Sequence, residues 1–260
     1  MTNTKLITIV VPLICLFFLL GCNNNDDTVE SATVNFSFSH FWVDTPIDNT
    51  NLTSINVTNA NGEIMDFTRI RYLVSRFELE NINSGQYIML NGYKFTDVSQ
   101  PGTYNFIPEN NEIPPGIYKL KFIWGLNEGD NIDGAYTDLN SASWNWPAML
   151  GGGYHFMQMD GEYNLNMTPN PYNFHNGTAR VSQDPPVFEP NFQTIEFSSN
   201  IEVSRDTKID IKMDFSEFFI NPHTWDLNVL DTPLMPNYTA QKMMQDNVLT
   251  VFSINSVTQE

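Results

Sequence analysis

Alternation at period 2 is the feature that most narrows what this chain can fold into. Val34, Phe36, Phe38, His40 and Trp42 fall on every second position, which in an extended chain puts all five on one face. Four are large and apolar, so the segment reads as a strand with one buried face. Ile70 to Leu79 (IRYLVSRFEL) and Ile117 to Trp124 (IYKLKFIW) repeat the pattern. In the second, Tyr118, Leu120, Phe122 and Trp124 point inward and Lys119 and Lys121 outward, as expected of central strands. Shorter strand candidates are Tyr87 to Leu90, Tyr93 to Thr96, Thr103 to Phe106, Tyr154 to Asp160, Thr194 to Phe197, Lys208 to Met213 and Leu249 to Ile254. Pro, Gly and Asn punctuate them. Helical pieces are expected only near Ser216 to Ile220 and Tyr238 to Gln245. With 260 residues and 41% hydrophobic content there is enough for one sizeable core. The expected fold class is all-β, a single β-sandwich domain.

The N-terminus sets the compartment. Lys5 precedes the apolar run Leu6 to Leu20, which contains Pro12 and is too short to span a bilayer comfortably. It ends in Leu19-Leu20-Gly21-Cys22, which resembles the lipobox of bacterial lipoproteins. The expected organisation is a lipoprotein signal peptide over residues 1–21, a polar tether over 22–32, and a sandwich domain over 33–260. Cys22 then carries the lipid, and the protein sits on the bacterial outer membrane, facing the periplasm or the cell surface. The other cysteine, Cys15, lies inside the signal. A mature chain without a second thiol forms no internal disulfide, and any metal must be held by other residues. A net charge of −18 with only 12 Lys and Arg argues against nucleic acid as a partner, because phosphate binding needs the opposite sign.

Gly125 to Gly153 (GLNEGDNIDGAYTDLNSASWNWPAMLGGG) interrupts the strand rhythm and is longer than a purely connecting loop. Its Glu128, Asp130, Asp133 and Asp138 are candidate calcium ligands, because hard cations gather several oxygens. Their spacing is not that of an EF-hand, and a solvated, self-bonded Asx-rich loop is the competing reading. Trp144 and Trp146 lie in the same stretch.

Histidine is scarce, with four in the chain. His40 shares the apolar face of the first strand with Trp42. By parity His155 groups with Met157 and Met159, an imidazole beside two thioethers. His175 follows Phe174, and His223 occupies a loop before Trp225. Without a free thiol, Cu(I) is the soft metal that imidazole and thioether suit best. The 11 methionines also serve as core filler, which is the rival explanation.

Several segments taken together carry a family resemblance. They are His40-Phe41-Trp42, Arg71-Tyr72-Leu73-Val74-Ser75, Pro115-Gly116-Ile117-Tyr118, Trp144-Asn145-Trp146, Gly151 to Gly161, Phe174-His175, Asn221 to Asn228 and Asn247 to Val257. In that order they resemble the MbnP-like family of copper-binding, methanobactin-associated bacterial lipoproteins over nearly the whole mature chain. The resemblance implies a β-sandwich that binds copper through histidines. In some members a tryptophan is oxidised to kynurenine by a partner di-haem cytochrome c peroxidase-like protein. Carried over by position, His40 and His175 are the first ligand candidates and His155 a third. The candidates for a modified tryptophan are Trp42, Trp144 and Trp146. Trp42 ranks first because it projects to the same side of its strand as His40.

Two functions of different class compete. One is copper binding at the cell envelope, in acquisition or delivery. The other is a lipoprotein that binds glycan or protein without metal, through exposed aromatics such as Trp144 and Trp146. Catalysis is not expected, since the chain has no Gly-x-Ser-x-Gly elbow, His-Glu-x-x-His helix or phosphate-cradling glycine loop.

Overall fold

The structure is a computed structural model that describes residues 31–260. The expected signal peptide, Cys22 and the expected tether as far as residue 30 lie outside the described residues. Among the described residues no helix is long and apolar enough to cross a membrane.

The fold is all-β, two curled sheets stacked face to face. We number the principal strands β1 (Ala32–Trp42), β2 (Arg69–Asn81), β3 (Tyr93–Asp97), β4 (Gly116–Trp124), β5 (Met157–Tyr163), β6 (Asn170–Asn176), β7 (Thr207–Asp214) and β8 (Phe252–Gln259). The six-stranded sheet runs β8-β7-β1-(Thr45–Pro46), and β1 lies parallel to β7. The ten-stranded sheet runs (Gln193–Glu196)-β4-β2-β5-(Ile64–Met65)-(Val57–Thr58), with β6 added on β5 and β3 on β2. As their patterns predict, β2 and β4 are central.

The core forms where the inward residues of the two sheets meet. From β1, Phe36 and Phe38 pack on Phe77, and Phe38 meets Tyr72 edge-on. Trp124 lies stacked on Tyr72 at 6.0 Å and contacts Phe252. Strict alternation in β2 breaks at Arg76, whose φ is +52°, where the register with β4 slips between Lys121 and Ile123. This bulge is why Tyr72 and Phe77, five positions apart, still face the same core. It also turns Arg76 outward to bind Asp130 of the long loop at 2.6 Å.

Local deviations from expectation have identifiable causes. Thr103 to Phe106 divides into a 3-10 turn at Pro101–Thr103, started by proline, and a two-residue strand Asn105–Phe106. The strand expected from Tyr154 begins instead at Met157, because Tyr154 and His155 bond to the folded-back loop. Near the C-terminus, Phe215–Phe219 is a 3-10 turn capped by the Asp214 side chain. The helix α2 (Tyr238–Asn247) is capped by Asn237, which accepts from the Ala240 amide. Another short helix, α1 (Thr137–Ser141), lies in the long loop.

Candidate metal centre

The β5-β6 ladder builds one side of the site. Its register sets Gln158 opposite His175 and Asp160 opposite Asn173, while β2 places Arg71 beside Gln158 and Arg69 beside Asp160. Residues opposite one another share a face. All six therefore project from the outer face of the large sheet, while Met157, Met159 and Phe174 face the core. Asp160 ties the group together: Oδ1 accepts from His175 Nε2 at 2.8 Å and from Asn173 at 2.6 Å, and Oδ2 pairs with Arg69 at 2.6 Å.

The long loop supplies the other side by folding over this face. Leu139, Trp144, Trp146 and Leu150 are buried beneath it. Arg71 donates to the Ala142 carbonyl, and its guanidinium stands 5.2 Å from the centre of the Trp144 ring. Phe95 of β3 packs edge-on against Trp144 at 4.9 Å. The loop closes through Gly151, Gly152 and Gly153, all with positive φ. At Gly153 a β-carbon would meet the Asn131 amide at 2.4 Å, so both the conformation and the space require glycine. Gly177, just past β6, is packed so closely that a β-carbon there would meet the Trp146 ring at 2.5 Å.

His155 stands where the two sides meet. Its amide and its Nδ1 both lie against the Trp144 carbonyl, at 2.9 and 3.1 Å. A carbonyl only accepts, so Nδ1 carries the proton and Nε2 holds the lone pair. By the same reasoning the carboxylate of Asp160 accepts the Nε2 proton of His175 in a hydrogen bond, leaving Nδ1 turned away from it. The two imidazole centres are 5.3 Å apart and nearly perpendicular, at 82°. Trp146 lies 4.9 Å and Trp144 5.4 Å from His155. Burial holds the His155 imidazolium pKa down to about 3, helped by His175, Arg71 and Arg69. Burial opposes ionisation of Asp160, but the His175 bond and charge, Asn173 and Arg69 outweigh it and bring its pKa to about 2. The site thus presents neutral His155 and ionised Asp160 at neutral pH. Among the described residues no group of three or more His, Cys, Asp or Glu side chains converges as a metal cage. The two imidazoles are its soft donors.

Four expected groupings are not formed. His40 is not brought to His175: it points into the core, where Nε2 meets the Tyr72 hydroxyl at 2.9 Å and the ring stacks on Phe215. Tyr72 faces inward and His175 outward, so the large sheet separates the two histidines. Trp42 packs on Phe67 and Phe219, and its Nε1 donates to the Thr58 carbonyl, so parity with His40 brings it to no imidazole of the pair. Met157 and Met159 part from His155 because the strand begins only after it. The loop carboxylates are also dispersed. Asp130 binds Arg76, Asp133 accepts from the Gly153 amide, Asp138 takes the Tyr93 hydroxyl, and Glu128 lines a separate small cavity. Trp144 and Trp146 are 0% and 1% exposed, so they present no aromatic surface for a glycan or protein. His223 pairs with Asp246 at the surface, away from the site.

Asp160, Gln158, Asn173 and Arg71 were not foreseen in the site. The alternation Met157-Gln158-Met159-Asp160 held a signal, since polar residues set between buried methionines must project to the other face.

The class is thus a two-sheet β fold with an imidazole pair on the outer face of its large sheet, the His175 ring on a ladder and the His155 ring bonded to the loop that covers it. The MbnP family profile matches residues 31–241, and the chain belongs to this family. The solved structure of MbnP from Methylosinus trichosporium is similar in fold, with a TM-score of 0.57 and 14% identity, covering 87% of this chain and 99% of that one. No curated protein matches the chain significantly.

Proposed function

We propose that this protein binds one copper ion, with Cu(I) favoured, through His155 Nε2 and His175 Nδ1, and serves in copper acquisition or delivery at the cell envelope. The observation that carries this reading is the nearly perpendicular imidazole pair at 5.3 Å, His155 buried and His175 partly so, each ring with its second nitrogen committed to an oxygen. The donors fit the metal: imidazole nitrogens suit copper, and His155, held neutral by burial, needs no proton displaced. Arg69 and Arg71 add positive charge close to His155, which disfavours a divalent ion more than a monovalent one. Trp144 and Trp146, in contact with His155, are the tryptophans in reach of a peroxidase-dependent modification, and a modified ring there would offer an additional ligand. The protein acts as a carrier with no catalytic step, anchored through lipid on Cys22.

Copper bound per chain, measured by atomic absorption after anaerobic Cu(I) loading and desalting, tests this reading. Wild type, His40→Ala and His223→Ala should each hold one copper, whereas His155→Ala and His175→Ala should lose it. Full loading of both latter variants would place the site elsewhere.

A further inference from the structure

A second, separate cluster lies at the edge of the large sheet, where the turn Asn59 to Glu63 joins the short strands Val57–Thr58 and Ile64–Met65. Glu63 is only 4% exposed. Its Oε1 accepts from the Asn61 and Asn228 amides, each at 2.7 Å. The other oxygen of the same carboxylate, Oε2, is fully buried and meets no donor. Asn59, 5% exposed, uses its carbonyl oxygen for the amides of Asn61 and Glu63, while its Nδ2 has no partner. Asn164, at the end of β5, donates to Asn228 Oδ1 at 2.7 Å. Three chain segments thus converge on one buried carboxylate.

Charge there is uncompensated. The ion pairs among the described residues include neither Glu63 nor Asp226 nor Asp231. Burial raises the pKa of the Tyr163 hydroxyl, and Asp231, Glu63 and Asp226 raise it further, so all three carboxylates bear on this spot. A buried carboxylate oxygen without a hydrogen bond or a cation is costly. Asp130, Asp133 and Asp138 of the long loop, by contrast, have partners of their own.

We propose that Glu63, Asn59, Asn61 and Asn228 form a binding site for a hard divalent cation of calcium's size. All the side-chain donors are oxygens or amides that a half-turn converts to oxygen donors, and none is a soft ligand, so the site discriminates against copper. Asn61 and Asn228 are exposed, giving an ion access to the buried Glu63 wall. A flexible set of carboxylate and amide oxygens from separate segments suits calcium better than magnesium, which demands a rigid octahedron. Occupancy would clamp the edge turn, the end of β5 and the loop at Asn228 together.

Calcium titration of the mature chain by calorimetry, paired with thermal unfolding in calcium and in EGTA, tests the proposal. Wild type should bind one calcium and melt higher with it, and magnesium should do so more weakly. Asn228→Ala, at an exposed position that folding tolerates, should weaken calcium by about tenfold or more. Glu63→Gln should abolish binding, and Asp133→Asn should leave it intact. Terbium emission sensitised by nearby aromatic rings and displaced by calcium gives a second readout, so the test stands on wild type and Asn228→Ala if Glu63→Gln does not fold. Absence of calcium binding in wild type, or binding unchanged in Asn228→Ala and Glu63→Gln, would overturn the site and leave only a buried water beside Glu63.

Discussion

Asp160 and His175 stand diagonally across the β5-β6 ladder, and the carboxylate holds the imidazole at 2.8 Å through Nε2 while gripping Arg69 with its other oxygen. Orientation and tautomer of the ring are thereby set by a neighbouring carboxylate. Asp160→Ala should weaken copper binding by about 10- to 100-fold with the fold retained by circular dichroism. Asp160→Asn keeps an acceptor for Nε2 without its charge, and should recover part of that loss in a competition titration with a Cu(I) chelator.

Stability should fall with acid in a way that counts histidines. His40 and His155 are both held neutral by burial, with pKa values lowered from 6.5 to about 3. Unfolding lets each take up a proton below 6.5, so their contribution is full above that pH and declines as pH drops toward 3. Urea midpoints of the metal-free protein between pH 6.5 and 4 should show this slope. His40→Gln, which removes one of the two titrations, should lower stability at neutral pH yet roughly halve this acid sensitivity. An unchanged slope would mean that His40 is not held neutral.

Tryptophan oxidation should map to the loop. Trp144 and Trp146 touch His155, whereas Trp42 is remote from both imidazoles of the pair. The Arg71 cation over Trp144 opposes electron loss from that ring, so the first oxidised residue should be Trp146. Peptide mass spectrometry of protein from its native host checks this, and oxidation confined to Trp42 would contradict it.

Release from the membrane gives a further check. Leu19-Leu20-Gly21-Cys22 matches what lipoprotein processing reads. Cys22→Ser should move the protein from the membrane fraction to the soluble one. Membrane retention of that variant, together with wild type free of lipid mass, would refute the anchor.

Alternation made the frame legible, because a half-buried strand leaves its period in the sequence: Val34 to Trp42, Ile70 to Leu79 and Ile117 to Trp124 all fall in strands. Much of the site was not legible, for two reasons. Strand β6, which carries His175, begins Asn-Pro-Tyr-Asn and has the composition of a turn; its pairing with β5 decides its conformation. His155 is positioned by bonds to Trp144, eleven residues earlier, and no period reports a loop folding back. Parity placed His40 on the buried face of its strand, as found, but parity within one strand cannot tell which side of the other sheet a second histidine occupies. For Glu63, the stretch Asn-Ala-Asn-Gly-Glu has the composition of an ordinary turn, and only its tertiary neighbours reveal the unmatched oxygen.

Because His175 sits on a hydrogen-bonded ladder and His155 is bonded to the Trp144 carbonyl of the loop that covers it, one ion shared by both would be a bolt between a fixed plate and a movable one. Binding and loop closure are then thermodynamically reciprocal: whatever free energy the metal gains from the closed loop, the closed loop gains from the metal. Amides of Trp144, Trp146 and His155 would exchange hydrogen by local opening in the apo protein and slow on loading, while those of β5 and β6 change less. Prying up the loop would be the route by which a recipient takes the ion.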